Sequence, residues 1–162
     1  MGLRLHPRAA LLGTGLVCAT SVGLALLAQH RFGMQPCPWC ILQRLFFVAL
    51  AVLCVVGSVL PHPARRAWSA LLLPLPVAGI AAALWQHFVA ARTSSCNMTL
   101  ADEVIAFTGL DMRFPDWFEV RATCADAAVS VLGVPFEFWS LALFAVVGLV
   151  LVINVLTPGR RA

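Results

Sequence analysis

Residues 37–60 read CPWCILQRLFFVALAVLCVVGSVL, and their reading decides the fold. Cys37, Pro38, Trp39 and Cys40 form a C-x-x-C unit, Arg44 follows Cys40 by four residues, and the stretch from Ile41 onward is almost wholly apolar. A run of roughly 20 apolar residues is what a helix needs to cross the hydrocarbon of a bilayer. Pro38 suits the first turn of such a helix, where its missing N–H costs nothing. The two thiols therefore stand at the mouth of a membrane helix. There they can close a disulfide, and the positive end of the helix dipole and a nearby guanidinium favour thiolate over thiol.

The remainder of the chain has the same character. Of its 162 residues 61% are hydrophobic and 11% charged, and the mean hydropathy is +0.92. That is the composition of a membrane protein. Four stretches are long and apolar enough to span: residues 9–29, 41–60, 68–90 and 134–156. The fold class expected is an all-α membrane protein, a four-transmembrane-helix bundle, with residues 1–162 forming a single integral membrane domain and outer loops at 30–40 and 91–133. The first span is too long for the apolar region of a signal peptide and no clear small-x-small cleavage site follows it, so it is expected to be retained. Pro74 and Pro76 inside the third span predict a kink, which could open space for a bound ligand.

Charge sets the expected orientation. All seven acidic residues (Asp102, Glu103, Asp111, Asp116, Glu119, Asp126 and Glu137) fall between the third span and the start of the fourth. Arg4 and Arg8 precede the first span, Arg65 and Arg66 separate the second from the third, and Arg160 and Arg161 follow the last. Positive residues mark cytoplasmic segments, so both termini are expected inside and Cys37, Cys40, Cys96 and Cys124 outside. In a bacterium the outer face is the periplasm, where disulfides form and persist. The net charge of +4 thus reads as topology, and nucleic-acid binding is not expected because no soluble basic patch exists.

The second outer segment is too long for a turn. Thr99 followed by Asp102 and Glu103, with Leu100, Val104 and Phe107 at helical spacing, predicts a helix start. Further on, Leu110, Met112, Phe114, Trp117, Phe118 and Val120 mingle with Arg113, Asp116 and Glu119. Two readings stay open for that mixture: a short helix lying on the bilayer surface, or a loop packing its apolar side on the bundle.

Each candidate residue has a plainer reading beside the functional one. Four outer cysteines could bind zinc, but Cys96 and Cys124 are 28 positions apart with no nearby His partner, so no metal is expected. Two purely structural disulfides are the stronger competitor. Arg44 tips the balance, because a guanidinium inside a span costs about 2.5 to 3.5 kcal/mol on insertion scales and calls for a partner or a role. It could snorkel to the interface, or stabilise a Cys40 thiolate or an anionic ligand beside it. His87, with Trp85 and Gln86 near the outer end of the third span, is either part of an interfacial belt or a hydrogen-bond partner for a membrane-borne ligand. Cys18 and Cys54 lie mid-span and read as small buried apolar residues.

The chain resembles the DsbB family of bacterial inner-membrane disulfide-bond oxidoreductases over nearly its whole length. The resemblance is carried by C-x-x-C-x-x-x-R at Cys37, Cys40 and Arg44, with Gln43 before the Arg, and by two cysteines in the second outer loop. Leu132-Gly133-Val134-Pro135 leading to Trp139 is also similar to the family's Leu-Gly-x-x-x-Pro-x-Trp pattern, although shorter before the Pro. Val129 and Val131 stand where the family usually has aromatics.

The resemblance implies oxidation of a periplasmic thioredoxin-like protein of the DsbA type, with electrons passed to a membrane quinone, ubiquinone or menaquinone. By that resemblance Cys96 takes the partner's thiolate, Cys124 is its mate, and Cys37 with Cys40 reoxidises them and delivers electrons to the quinone beside Arg44. Exchange chemistry fits this division, since only a polar loop can reach a soluble partner while the quinone is confined to the bilayer. The rivals are a quinone-linked oxidoreductase of the vitamin K epoxide reductase type, whose C-x-x-C lies in a later span, and a non-enzymatic scaffold stapled by two disulfides.

Overall fold

The computed structural model describes residues 6–92 and 99–157. Helix α1 (Pro7–Phe32) starts on a proline and stops at Gly33, whose φ of +67° is a left-handed conformation that glycine adopts freely. Helix α2 (Pro38–Val59) also opens on a proline, with Cys37 as its N-cap. The third span is two segments, α3 (His62–Leu72) and α4 (Pro74–Phe88). Pro74 and Pro76 offer no N–H to the turn before them, and the Leu73 N–H bonds the Ala70 carbonyl at 3.3 Å instead. The hydrogen-bond ladder is thus interrupted where the kink is expected, while Leu73 keeps helical dihedrals, φ −54° and ψ −36°. Four helical stretches are long and apolar enough to cross a membrane: Pro7–Phe32, Pro38–Val59, His62–Arg92 and Phe136–Leu156.

The third stretch begins before the expected residue 68, because Pro61 and Pro63 stand where a helix start tolerates them. Arg65 and Arg66, expected in a connecting loop, consequently lie on α3. Both serve helix ends whose carbonyls lack partners: Arg65 Nη1 donates to the Leu60 carbonyl at 3.2 Å and Arg66 Nε to that of Val155 at 2.8 Å.

In the outer segment, α5 (Leu100–Thr108) opens as expected on a capping box: the Thr99 N–H donates to Asp102 Oδ2 at 2.8 Å and the Asp102 N–H to Thr99 Oγ1 at 3.4 Å. Two single turns follow, α6 (Leu110–Arg113) and α7 (Pro115–Phe118), broken at Phe114 ahead of Pro115. Neither expectation for this stretch holds alone. Phe118 packs on the bundle against Ile41 and Ile105, while Phe107, Met112 and Phe114 are exposed.

A small hairpin, β1 (Ser130–Val131) with β2 (Val134–Pro135), was not expected. Its turn residues, Leu132 at φ +55° and Gly133 at φ +78°, are both left-handed, and a leucine there hides the usual hairpin signal. The last helix, α8 (Phe136–Leu156), follows directly.

Helix α1 packs along α2, α4 along α8, and α5 lies on α2. At the bundle centre Phe144 stacks on Phe47 with ring centroids 4.0 Å apart. Gly79 makes that approach possible, since a Cβ there would lie 2.5 Å from the Phe144 ring. Cys18 and Cys54 belong to this core together with Leu11, Leu50 and Leu151, in keeping with their reading as apolar filler. Leu16, Leu24, Val59, Leu71 and Leu149 face outward. Water would penalise such a surface, whereas lipid solvates it.

Candidate active site

Two outer elements and one helix mouth bring three sulfurs together. Cys37, extended at φ −89° and ψ 170°, leaves its sulfur over the first turn of α2, where it accepts the Cys40 N–H at 3.4 Å. The Cys37 and Cys40 sulfurs are 2.9 Å apart, and Cys37 is wholly buried. Cys124 arrives from the far loop because the Arg121 and Ala122 N–H groups both bond the Pro36 carbonyl, at 3.0 and 3.2 Å. A turn closed by Thr123 Oγ1 and Asp126 then presents the sulfur.

Cys124 packs against the buried cluster that holds Cys37 and Trp39, and the Cys37 side chain and the Trp39 backbone both favour its thiolate. The proton offered by Cys37 holds the Cys124 thiol below the ordinary cysteine range, against the opposing effect of burial. Cys37 is pushed the other way, by hydrogen bonding to Cys124, then to Cys40, and by burial.

Beneath this cluster a cavity of about 520 Å³ opens between α1, α2, α4 and α8. Its wall is mostly apolar, and its polar groups converge: Cys40, Gln43 and Arg44 from α2, Gln86 from α4, and Glu137 and Ser140 from α8. Gln86 Nε2 donates to the Cys40 sulfur at 3.2 Å, and Gln86 Oε1 accepts from Gln43 Nε2 at 2.6 Å. Arg44 Nη1 donates to Gln29 Oε1 at 3.0 Å and to the Trp117 carbonyl. Gln29 Nε2 reaches the Asp116 carbonyl at 3.1 Å, so the guanidinium ties α1, α2 and α7 together. Arg44 Nε is buried and has no hydrogen-bond partner. On the opposite wall Glu137 Oε1 meets His87 Nδ1 at 2.6 Å.

A model of the family described as "Disulfide bond formation protein DsbB" matches residues 7–154 of the chain. The chain belongs to the DsbB family. It is 35% identical to "Disulfide bond formation protein B" of Aromatoleum aromaticum over 140 residues, 83% of each chain. It is 29% identical to the protein of that name from Ralstonia nicotianae over 160 residues, 98% of this chain and all of the relative. The Pseudomonas syringae pv. tomato relative is 28% identical over 151 residues, 91% of this chain and 88% of that one. This DsbB-family chain is thus a membrane oxidoreductase of disulfide-bond formation. That finding sets aside both the vitamin K epoxide reductase type and the inert scaffold.

Of the residues the sequence singled out, the fold gathers Cys37, Cys40, Arg44 and Cys124 at one end of the bundle. Cys96 lies outside the described residues. His87 does not line the cavity; it turns to Glu137, which does. Gln86, expected beside His87 in a polar cluster facing a ligand, does line the cavity, whereas Gln29 and Glu137 are site residues the sequence reading misses. A signal for the last existed, because a carboxylate inside an apolar span is by default a functional candidate.

Proposed function

We propose that this DsbB-family protein reoxidises a periplasmic dithiol protein of the DsbA type and passes the electrons to a membrane quinone, with both termini cytoplasmic and the cysteine loops on the periplasmic side of a bacterial inner membrane. The observation that carries the reading is the position of Cys40, whose sulfur lines an apolar cavity within the bundle while Cys37 beside it meets a cysteine of the outer loop.

The cavity fits a quinone ring. Its volume falls within the range of small-molecule sites, about 300 to 1,000 Å³, and such sites pair apolar walls with a few convergent polar groups. Arg44 lines the cavity and brings positive charge to it, which a reduced ring would meet there. Ubiquinone or menaquinone, when bound, supplies a two-electron acceptor.

The chain's own residues account for the rest. Cys96 and Cys124 exchange with the reduced partner. Electrons then reach the inner pair through Cys37, whose sulfur is within reach of both Cys124 and Cys40. Gln86, donating to the Cys40 sulfur and held by Gln43, fixes that sulfur against the cavity. Arg44, oriented by Gln29 and the Trp117 carbonyl, keeps positive charge beside it. Each turnover converts the inner dithiol to a disulfide, releasing two electrons and two protons.

The test is made with protein purified in detergent and freed of quinone. Reduced DsbA-type partner should be oxidised catalytically only when ubiquinone or menaquinone is added. Catalytic oxidation at the same rate without quinone would overturn the proposal.

A further inference from the structure

Glu137 is a carboxylate buried to 4% exposure at the outer end of a membrane helix, facing an apolar cavity. Among the described residues its side-chain partner is His87, at 2.6 Å, and the His87 side chain is 27% exposed. One atom pair therefore joins the cavity to the outer surface of the bundle. The other titratable or charged groups that share the cavity are Cys40 and Arg44 of α2; those facing it from α1 and α4 are neutral. Arg44 cannot release a proton at working pH. Cys40 is the sulfur being oxidised.

We infer that Glu137 and His87 form the proton path of the site, Glu137 giving protons to a ligand reduced in the cavity and His87 recharging it from the outer water. This rests on the quinone reading above. The balance closes as follows. The inner dithiol loses two electrons and two protons as the Cys37–Cys40 bond forms, the protons passing to the outer water. The quinone takes up the two electrons, and two protons cross one at a time through Glu137 to its ring oxygens, with His87 replacing each. A buried carboxylate beside a partly exposed imidazole suits this role, because both groups exchange protons readily and neither needs to leave its place.

The test compares Glu137→Gln, Glu137→Asp and His87→Gln with the parent protein. Glu137→Gln keeps the shape and a hydrogen bond but cannot carry a proton. It should slow quinone reduction by about a hundredfold, the usual order for a lost acid–base group. Glu137→Asp should retain more of the rate than Glu137→Gln. The ratio of parent to Glu137→Gln rates should fall as pH rises, because the supply of protons to His87 falls while thiol ionisation is common to both proteins.

A second readout needs no quinone. The infrared carboxyl band of Glu137, identified by its absence in Glu137→Gln, should titrate differently in His87→Gln. Single-turnover exchange of Glu137→Gln with reduced partner, without quinone, reports that the variant is folded. A folded Glu137→Gln with parental rate and parental pH profile, or a Glu137 band indifferent to His87→Gln, would overturn the inference. Absence of quinone-dependent turnover in the parent protein would instead remove the functional reading beneath it.

Discussion

Replacing Arg44 separates the two duties its geometry gives it. Arg44→Ala deletes the donor to Gln29 Oε1 and to the Trp117 carbonyl, and hydrogen bonds from a charged group each contribute about 1.5 to 3 kcal/mol. The outer segment should therefore loosen where α7 meets α1. The same substitution removes the positive charge from the cavity wall. Loss of one charge-assisted bond to the quinone, at about 1.5 to 3 kcal/mol, corresponds to a rise in apparent quinone KM of about 10- to 150-fold.

Arg44→Lys keeps the charge but not the planar fork, so it should fall between parent and alanine variant. Gln29→Ala is the control, since Gln29 orients Arg44 without lining the cavity: it should raise protease sensitivity of the outer segment and change the quinone KM less than Arg44→Ala does. The assay is quinone-dependent oxidation of the reduced partner at varied quinone, alongside limited proteolysis and membrane accumulation. An Arg44→Ala protein that accumulates normally and keeps the parental quinone KM would refute the reasoning. So would one that fails to accumulate as a four-span membrane protein, for then Arg44 would be an anchor of the fold and not part of the site.

Cys37→Ser and Cys40→Ser should each abolish quinone-dependent turnover while still allowing a mixed disulfide between Cys96 and the partner, seen on non-reducing gels; normal turnover in either variant would break the two-pair mechanism. In the reduced protein Cys124 should alkylate at pH values below those at which an ordinary cysteine, with pKa about 8.5, reacts. Its lowered pKa keeps it thiolate as pH falls, and Cys37→Ala, which removes the largest cause of that lowering and leaves no donor in its place, should move the profile upward. A profile unaffected by Cys37→Ala, followed by mass spectrometry of the Cys124 peptide, would contradict the assignment. An impermeant thiol reagent should label Cys96 and Cys124 in reduced spheroplasts, and labelling only after lysis would reverse the topology.

The parts of this fold that were legible were those set by the solvent. Lipid demands long apolar helices, so the spans, the interrupted ladder at Pro74 and Pro76 and the burial of Cys18 and Cys54 follow from residue type and order alone. The capping box at Thr99 and Asp102 was legible because all of its partners lie within one turn. What stayed hidden depends on contacts distant along the chain. Arg44 meets Trp117 across 73 positions and His87 meets Glu137 across 50, and neither pair leaves a spacing that one sequence displays. The hairpin escaped notice for a local reason, because Leu132 occupies a left-handed position that asparagine or glycine usually marks.

Cys37 gives the architecture its economy of motion. It is an N-cap, so its backbone is extended and not committed to the helix, while Cys40 one turn on is fixed by the α2 ladder and by Gln86. A sulfur that must change partners belongs at the first position, and one that must stay against the cavity belongs at the second. The far loop needs only to keep Cys124 near Cys37, which the two bonds to the Pro36 carbonyl do. On the proposed function, a loop cysteine engages the soluble partner while its mate stays by the helix mouth. Among the described residues Cys40 is the cysteine that lines the cavity, while Cys37 beside it is wholly buried.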